Sequence, residues 1–186
     1  MAREQTRQSH AEHVDIIPLG VVDPMAVSVI AANIQTIMGL NAAIHAPLPE
    51  PEETYLPLRG QYAATKIIKS IENMAGGGRF KLGVVQFDIC TPILKYVYGE
   101  SQLGGRAAVI SLHRLGGGEP KRLYLRAAKI GLHETGHLLG VGHCRAPDCL
   151  MVFSSNLERL DRLPLRFCSA CEYEIARSLK HTFGRE

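Results

Sequence analysis

The sequence has no apolar run approaching the roughly 20 residues that a membrane-crossing helix requires, which argues against a helical membrane protein. Its first stretch, MAREQTRQSHAEH, lacks the apolar centre of a secretory signal, and a cytoplasmic location is therefore expected. Charge of one sign is scarce as well: the formal net charge is +3, and Lys and Arg are interleaved with Asp and Glu instead of forming a stripe. That pattern makes nucleic acid and membrane surfaces poor partners. No internal repeat is present. What remains is globular composition, 46% apolar and 21% charged, in 186 residues, enough to bury one core without disulfides. One compact, monomeric domain is the expectation.

Residues 1–13 read as a flexible polar arm, after which Val14 to Gly20 (VDIIPLG) starts the folded part as a strand. Asp23 and Pro24 begin a helix in which Val27, Ile30, Ala31, Ile34, Ile37 and Met38 recur at helical spacing, and Gly39 is placed to end it. The segment Ala46 to Pro57 holds four prolines and three glutamates, which predicts a surface loop. A second helix is predicted from about Gln61 to Met74, broken by Gly76, Gly77 and Gly78. Strands are expected across Lys81–Cys90, Ile93–Glu100 and Arg106–Leu115, with Gly104 and Gly105 folding the last two into a hairpin. Gly116 to Pro120 then opens a further helix, ending near Leu139. The order implies a mixed sheet with helices, followed by a tail too short for a core of its own.

That last helix carries HETGHLLGVGHC, His133 to Cys144. His133 and His137, four apart on a helix, present both imidazoles on one face, where they can share a metal ion, and Glu134 lies beside them. Gly140 can turn the chain out of the helix in a left-handed conformation and bring His143 back to the same ion. Three protein ligands leave one zinc position for water, whose pKa zinc can lower to about 7, and Glu134 is the natural base to take the proton. Solvated surface histidines are the ordinary alternative. By chance alone the full pattern would arise in about one such sequence in ten thousand.

Of five cysteines, Cys144, Cys149, Cys168 and Cys171 fall within the last 43 residues. C-x4-C followed by C-x2-C in a chain without a secretory signal reads as metal binding, with two disulfides or reduced buried thiols as the alternatives. Cys90 stands apart and reads as a buried core cysteine.

HExxHxxGxxH is the signature of metzincin metallopeptidases, and the cysteine following His143 narrows the likeness. With CLM (Cys149 to Met151) and CSAC (Cys168 to Cys171), the chain resembles the archaemetzincin family; LRGQYAA, FDIC, YVYGESQLGGRAAVISLHRL and FCSACEYE are similar to that family too. The resemblance implies an α+β, metzincin-type zincin with a twisted mixed sheet, and two zinc ions: a catalytic one held by His133, His137 and His143, and a structural one held by Cys144, Cys149, Cys168 and Cys171. Residues 14–143 would form a catalytic subdomain and 144–186 a C-terminal one, within one compact catalytic domain. Met151 would be the Met-turn methionine, packed beneath the histidines without ligating metal. The peptide substrate would lie antiparallel to an edge strand at roughly Leu94 to Glu100.

Some metzincins carry a tyrosine two residues after that methionine; here the place is Phe153. His113 is one substitute for an oxyanion donor, although a lone strand histidine is more often only accommodated. The glutamates at Glu50 to Glu53 could border the cleft, a solvated surface being the plainer reading. The function expected is zinc-dependent hydrolysis of peptide bonds, against a zinc-stabilised peptide-binding module that turns over no substrate.

Overall fold

A computed structural model describes residues 11–74 and 77–184. β1 (Ala11–Leu19) lies near the middle of the main sheet. On one side it pairs in parallel with β2 (Asn41–Ile44), reached through α1 (Pro24–Met38). On the other it pairs in parallel with β5 (Gly78–Val85), Ile16 opposite Leu82. Next comes β8 (Ala107–Ser111), also parallel, and then the antiparallel edge strand β7 (Gly99–Ser101), with Gly99 opposite Ile110. A small second sheet runs in the order β3 (Tyr55–Leu56), β4 (Gln61–Ala63), β6 (Ile89–Cys90).

The parallel strands are buried on both faces, and their period-2 alternation divides the core in two. Val14, Ile16, Leu82, Val84, Ala108 and Ile110 face α1 and α3 (Pro120–Leu138). Ile17, Leu19, Val85, Ala107 and Val109 face α2 (Ala64–Glu72), which brings Ile67, Ile68 and Ile71. The chain finishes with α4 (Leu157–Arg162) and α5 (Ser169–Phe183). α1 and α3 cross where a Cβ at Gly131 would fall 2.8 Å from Ile30 Cγ2, so a glycine there lets the two backbones meet. This close crossing sets α3, and everything it carries, against the sheet.

The structure departs from the sequence expectations where tertiary partners compete. β1 begins at Ala11, so three residues assigned to the arm belong to the sheet, and residues 1–10 lie outside the described residues. The helix expected from Gln61 starts at Ala64, because Gln61–Ala63 pair with two other short strands; it ends at Glu72, and Gly76 of the expected glycine break also lies outside the described residues. The stretch Lys81–Cys90 is two strands in two different sheets. Of Ile93–Glu100 only the end enters β7, since the carbonyls of Leu94 and Lys95 accept from Arg59 instead of a neighbouring strand. The proline-rich loop contains a 3-10 turn at Glu52–Thr54, where Thr54 is buried.

One charge cluster lies inside the sheet. Asp15, fully buried, accepts from Lys81 Nζ and from the Gly78 N–H at 3.1 Å, and contacts the Nε2 atoms of His13 and His45 at 2.9 Å. Burial alone would raise its carboxyl, but the Lys81 and His45 hydrogen bonds, the Gly78 amide and the Lys81 charge outweigh it and hold it at about 2. A depressed carboxylate stabilises the fold above its unfolded value of 3.8, and that contribution is lost as pH falls through about 2. Asp15→Asn should therefore lower unfolding free energy by about 2 kcal/mol at neutral pH. Urea titrations of both proteins should show that gap closing as pH falls from about 4 toward 2.

Candidate metal centre and cleft

His133, Glu134 and His137 occupy the last turns of α3, and the helix stops in a glycine-dependent way. Gly140 has φ +84°, its N–H reaches the His137 carbonyl at 2.9 Å, and Val141 N–H reaches the Gly136 carbonyl at 3.0 Å. This paired closure is a Schellman motif, and it needs the left-handed residue that glycine supplies without strain. The reversal carries His143 back toward the helix, with its ring centroid 4.8 Å from that of His137 and 5.3 Å from that of His133.

Two backbone carbonyls set the tautomers. His133 Nδ1 donates to Leu150 O at 2.8 Å and His137 Nδ1 to Val141 O at 2.7 Å, leaving both Nε2 lone pairs facing inward, 3.0 Å apart. One ring nitrogen from each of the three histidines falls within 4.8 Å of the others. Facing lone pairs at that separation repel unless a cation lies between them, and ligands about 2.05 Å from a tetrahedral zinc are themselves about 3.3 Å apart. The donor set therefore fits zinc. Burial pushes the His133 imidazole down to about 4 and lowers His137 and His143 as well, so all three favour the neutral form a ligand must have.

Glu134 is buried beside them, and Ser101 Oγ donates to its Oε2 at 2.8 Å. Burial raises its carboxyl to about 8, with Glu100 adding to the shift and the Ser101 hydrogen bond opposing it. Gly99, on the edge strand, leaves the room: a Cβ there would fall 2.6 Å from Glu134 Oε1. Neither Gly99 nor Ser101 was singled out from the sequence, nor were the Leu150 and Val141 carbonyls. The glycine in YVYGES was the one available signal for a close approach.

Met151 is fully buried beneath α3, where a Cβ at Gly136 would fall 2.7 Å from its sulfur. It sits in a tight turn closed by Val152 N–H to Cys149 O at 3.1 Å, and its carbonyl accepts from Cys144 N–H at 2.8 Å. The sulfurs of Cys144, Cys149, Cys168 and Cys171 lie within 4.8 Å of one another, and none is in a disulfide. Cys144 and Cys168 are 3.8 Å apart, far beyond a disulfide bond but close to the roughly 3.8 Å separation of thiolates on one tetrahedral zinc. Amides point at this sulfur group, Cys168 N–H to Cys149 Sγ at 3.3 Å and Ala146 N–H to Cys144 Sγ at 3.4 Å. The Cys171 amide foremost holds the Cys168 thiol down to about 7. These four thiols fit a second, closed zinc site.

A cleft of about 530 Å³ opens over the histidines, between the Leu94–Ser101 segment above and Leu150, Val152 and Phe153 below. The exposed Phe153 ring stands 5.3 Å from His143. His113 and Glu50 line a different cavity, so neither borders this cleft, and Cys90 is a buried residue of β6 away from the four-cysteine group.

The model of Peptidase family M54 matches residues 51–177, which include the three histidines, Glu134, Met151 and the four clustered cysteines. The chain belongs to Peptidase family M54. Among its M54 relatives, the archaemetzincin of Methanopyrus kandleri is 38% identical over 130 residues, spanning 70% of this chain and 74% of that protein. The archaemetzincin of Archaeoglobus fulgidus is 32% identical over 160 residues, 86% of this chain and 96% of that one. The crystal structure of the M. kandleri archaemetzincin superposes with a TM-score of 0.84 at 30% identity, covering 94% of this chain and 99% of that one. The A. fulgidus archaemetzincin, complexed with malonate, does so with 0.79 at 31%, covering 87% and 99%. The expected resemblance and fold class both hold. As an M54 peptidase this protein is a zinc metallopeptidase acting on peptides or proteins. Among its described residues no helix is long and apolar enough to cross a membrane.

Because Gly99 makes room for the Glu134 carboxylate, Gly99→Ala should lower kcat/KM by about tenfold or more. Zinc content measured by atomic absorption should stay at the wild-type value, since no metal-facing atom is touched.

Proposed function

We propose that the cleft hydrolyses peptide bonds with Glu134 as the proton carrier and His133, His137 and His143 as holders of one zinc ion. Zinc, when bound, supplies a Lewis acid that acidifies water and stabilises negative charge developing on the substrate carbonyl oxygen. The charge of a zinc ion on the adjacent imidazoles would favour the ionised form of Glu134 against its burial, and the carboxylate then takes a proton from the attacking water and passes it to the leaving amine nitrogen. Ser101 holds one carboxylate oxygen, so the other is oriented toward the reacting atoms. Leu150 and Val141 keep the imidazoles in the tautomer that offers Nε2. Gly140 and Met151 support the arrangement, one by turning the chain and the other by filling the space under the helix. The peptide lies along the exposed edge of β7, antiparallel to it, and takes its main-chain hydrogen bonds there.

Cys144, Cys149, Cys168 and Cys171 hold a second zinc, structural because four thiolates leave no open position. It joins the loop after α3 to the start of α5, so that residues 144–186 act as a C-terminal subdomain closed onto the catalytic part, 14–143. The observation that carries this reading is the position of Glu134: buried, held by Ser101, and adjacent in the chain to the converging imidazoles.

Wild type and Glu134→Gln should each contain two zinc ions by elemental analysis, while only wild type cleaves a diverse peptide library, the variant being slower by about a hundredfold or more. Equal, negligible turnover by both would favour a peptide-binding module instead. One zinc per chain, with four freely titratable thiols in the native state, would remove the structural site.

A further inference from the structure

A second cavity of about 750 Å³ lies at the carboxyl ends of the parallel strands: Val21 comes from just past β1, Asp88 from past β5, His113 and Arg114 from past β8. β1 is also where the sheet order reverses, since α1 leads outward from it to β2 while β5 lies on its other side. Open parallel sheets lodge ligands at such points. This cavity adjoins the zinc-site cleft. Lys95 lines both, and the Arg114 guanidinium, which lines one, stacks 4.1 Å from the ring centre of Tyr96, which lines the other.

The charges facing this cavity are unbalanced. Arg59, Lys95 and Arg114 stand against Glu50 and Asp88, and Asp88 is paired with Arg114. Asp88 accepts from Arg114 through both oxygens, at 2.7 and 2.6 Å, and from Gln61 Nε2 at 2.8 Å; Glu50 accepts from the Tyr62 hydroxyl at 3.0 Å. Arg59 gives its hydrogen bonds to neutral acceptors, the Gln61 side-chain oxygen and the carbonyls of Thr91, Leu94 and Lys95, so its charge is not cancelled. Among the described residues no carboxylate pairs with Arg59 or Lys95. Those same bonds fix the Thr91–Lys95 turn that presents the Lys95 side chain.

Strand direction says which end of a substrate arrives here. A peptide antiparallel to β7 runs its C-terminal half back along the chain, past Tyr98 toward Lys95. Lys95 precedes Gly99, the residue packed on Glu134, by four positions. Four positions span at most about 13 Å, so an extended peptide reaches Lys95 within about four residues beyond the bond to be cleaved.

We propose that this basic cavity is a subsite for a carboxylate on the leaving-group side of the substrate, carried by an acidic side chain or by a free C-terminus. The inference rests on the hydrolytic reading of the neighbouring cleft.

Internally quenched peptides identical except for two Asp or two Lys at the third and fourth positions after the scissile bond, located by mass spectrometry, test it directly. Wild type should prefer the acidic peptide in kcat/KM by about fivefold at low salt, the preference shrinking in about 0.5 M NaCl. Lys95 is exposed and, among the described residues, no salt bridge holds its ammonium group, so Lys95→Glu should fold normally and bring the ratio to one or below. A third pair, ending at the fourth position as free acid or amide, separates the two carboxylate sources. A wild-type ratio of one, or a ratio unmoved by Lys95→Glu, overturns the subsite while leaving the peptidase reading intact. If neither peptide is cleaved, the hydrolytic reading fails, and fluorescence anisotropy of the same peptides on zinc-loaded Glu134→Gln protein decides the subsite. Tighter binding of the acidic peptide, lost in the double variant with Lys95→Glu, supports it, and equal binding overturns it.

Discussion

The hydrogen bond from His133 Nδ1 to the Leu150 carbonyl ties α3 to a turn 17 positions further along the chain. Its acceptor lies in a four-residue turn in which every position is engaged. Cys149 supplies a sulfur to the four-thiol group, Leu150 orients the His133 imidazole, and Met151 fills the space below Gly136 while its carbonyl receives the Cys144 amide. Val152 closes the turn and lines the cleft. Since Cys144 also follows His143 directly, the histidine cluster and the cysteine cluster border each other at two points. A shift of the turn would move an imidazole and a thiol together, so rigidity in the four-thiol group is passed to the geometry of the three histidines.

Close approach is the second constraint. Three glycines allow contacts that any side chain would prevent: Gly131 against Ile30 where α1 and α3 cross, Gly136 over the Met151 sulfur, and Gly99 against Glu134. Together they hold α3 against a helix on one side, the methionine turn below and the sheet edge above. The helix that bears the chemistry is thus positioned by missing methyl groups as much as by its apolar residues. A packed environment of this kind also buries Glu134 and His133 and partly covers His137, and this burial is the main cause of their shifted proton affinities.

The histidines and cysteines that converge in the fold were legible in the sequence because each cluster depends on short-range geometry. Four residues along a helix put His133 and His137 on one face, Gly140 could only end that helix, and four cysteines in two short pairs needed only one loop to converge. The long apolar segments were legible for the same reason, α1 from its 3.6-residue period and β1 and β8 from their β-branched runs. Short elements were not. Gln61–Ala63 continues the pattern of α2, and it is a strand only because Tyr55–Leu56 and Ile89–Cys90 lie beside it. Leu94 and Lys95 look extended in sequence, yet Arg59, some 35 positions earlier, takes their carbonyls.

By itself, then, the sequence determined the family, the fold class and which histidines and cysteines converge, because spacing along one helix and within one loop is set by backbone geometry alone. Only the tertiary structure decided what surrounds them. It brought Ser101 and Gly99 to Glu134, aimed the Leu150 and Val141 carbonyls at the imidazoles, and gathered Arg59, Lys95 and Arg114 beside a cavity that shares a wall with the cleft. Such contacts join residues tens of positions apart, and their geometry depends on sheet order and helix crossing, which no local pattern encodes.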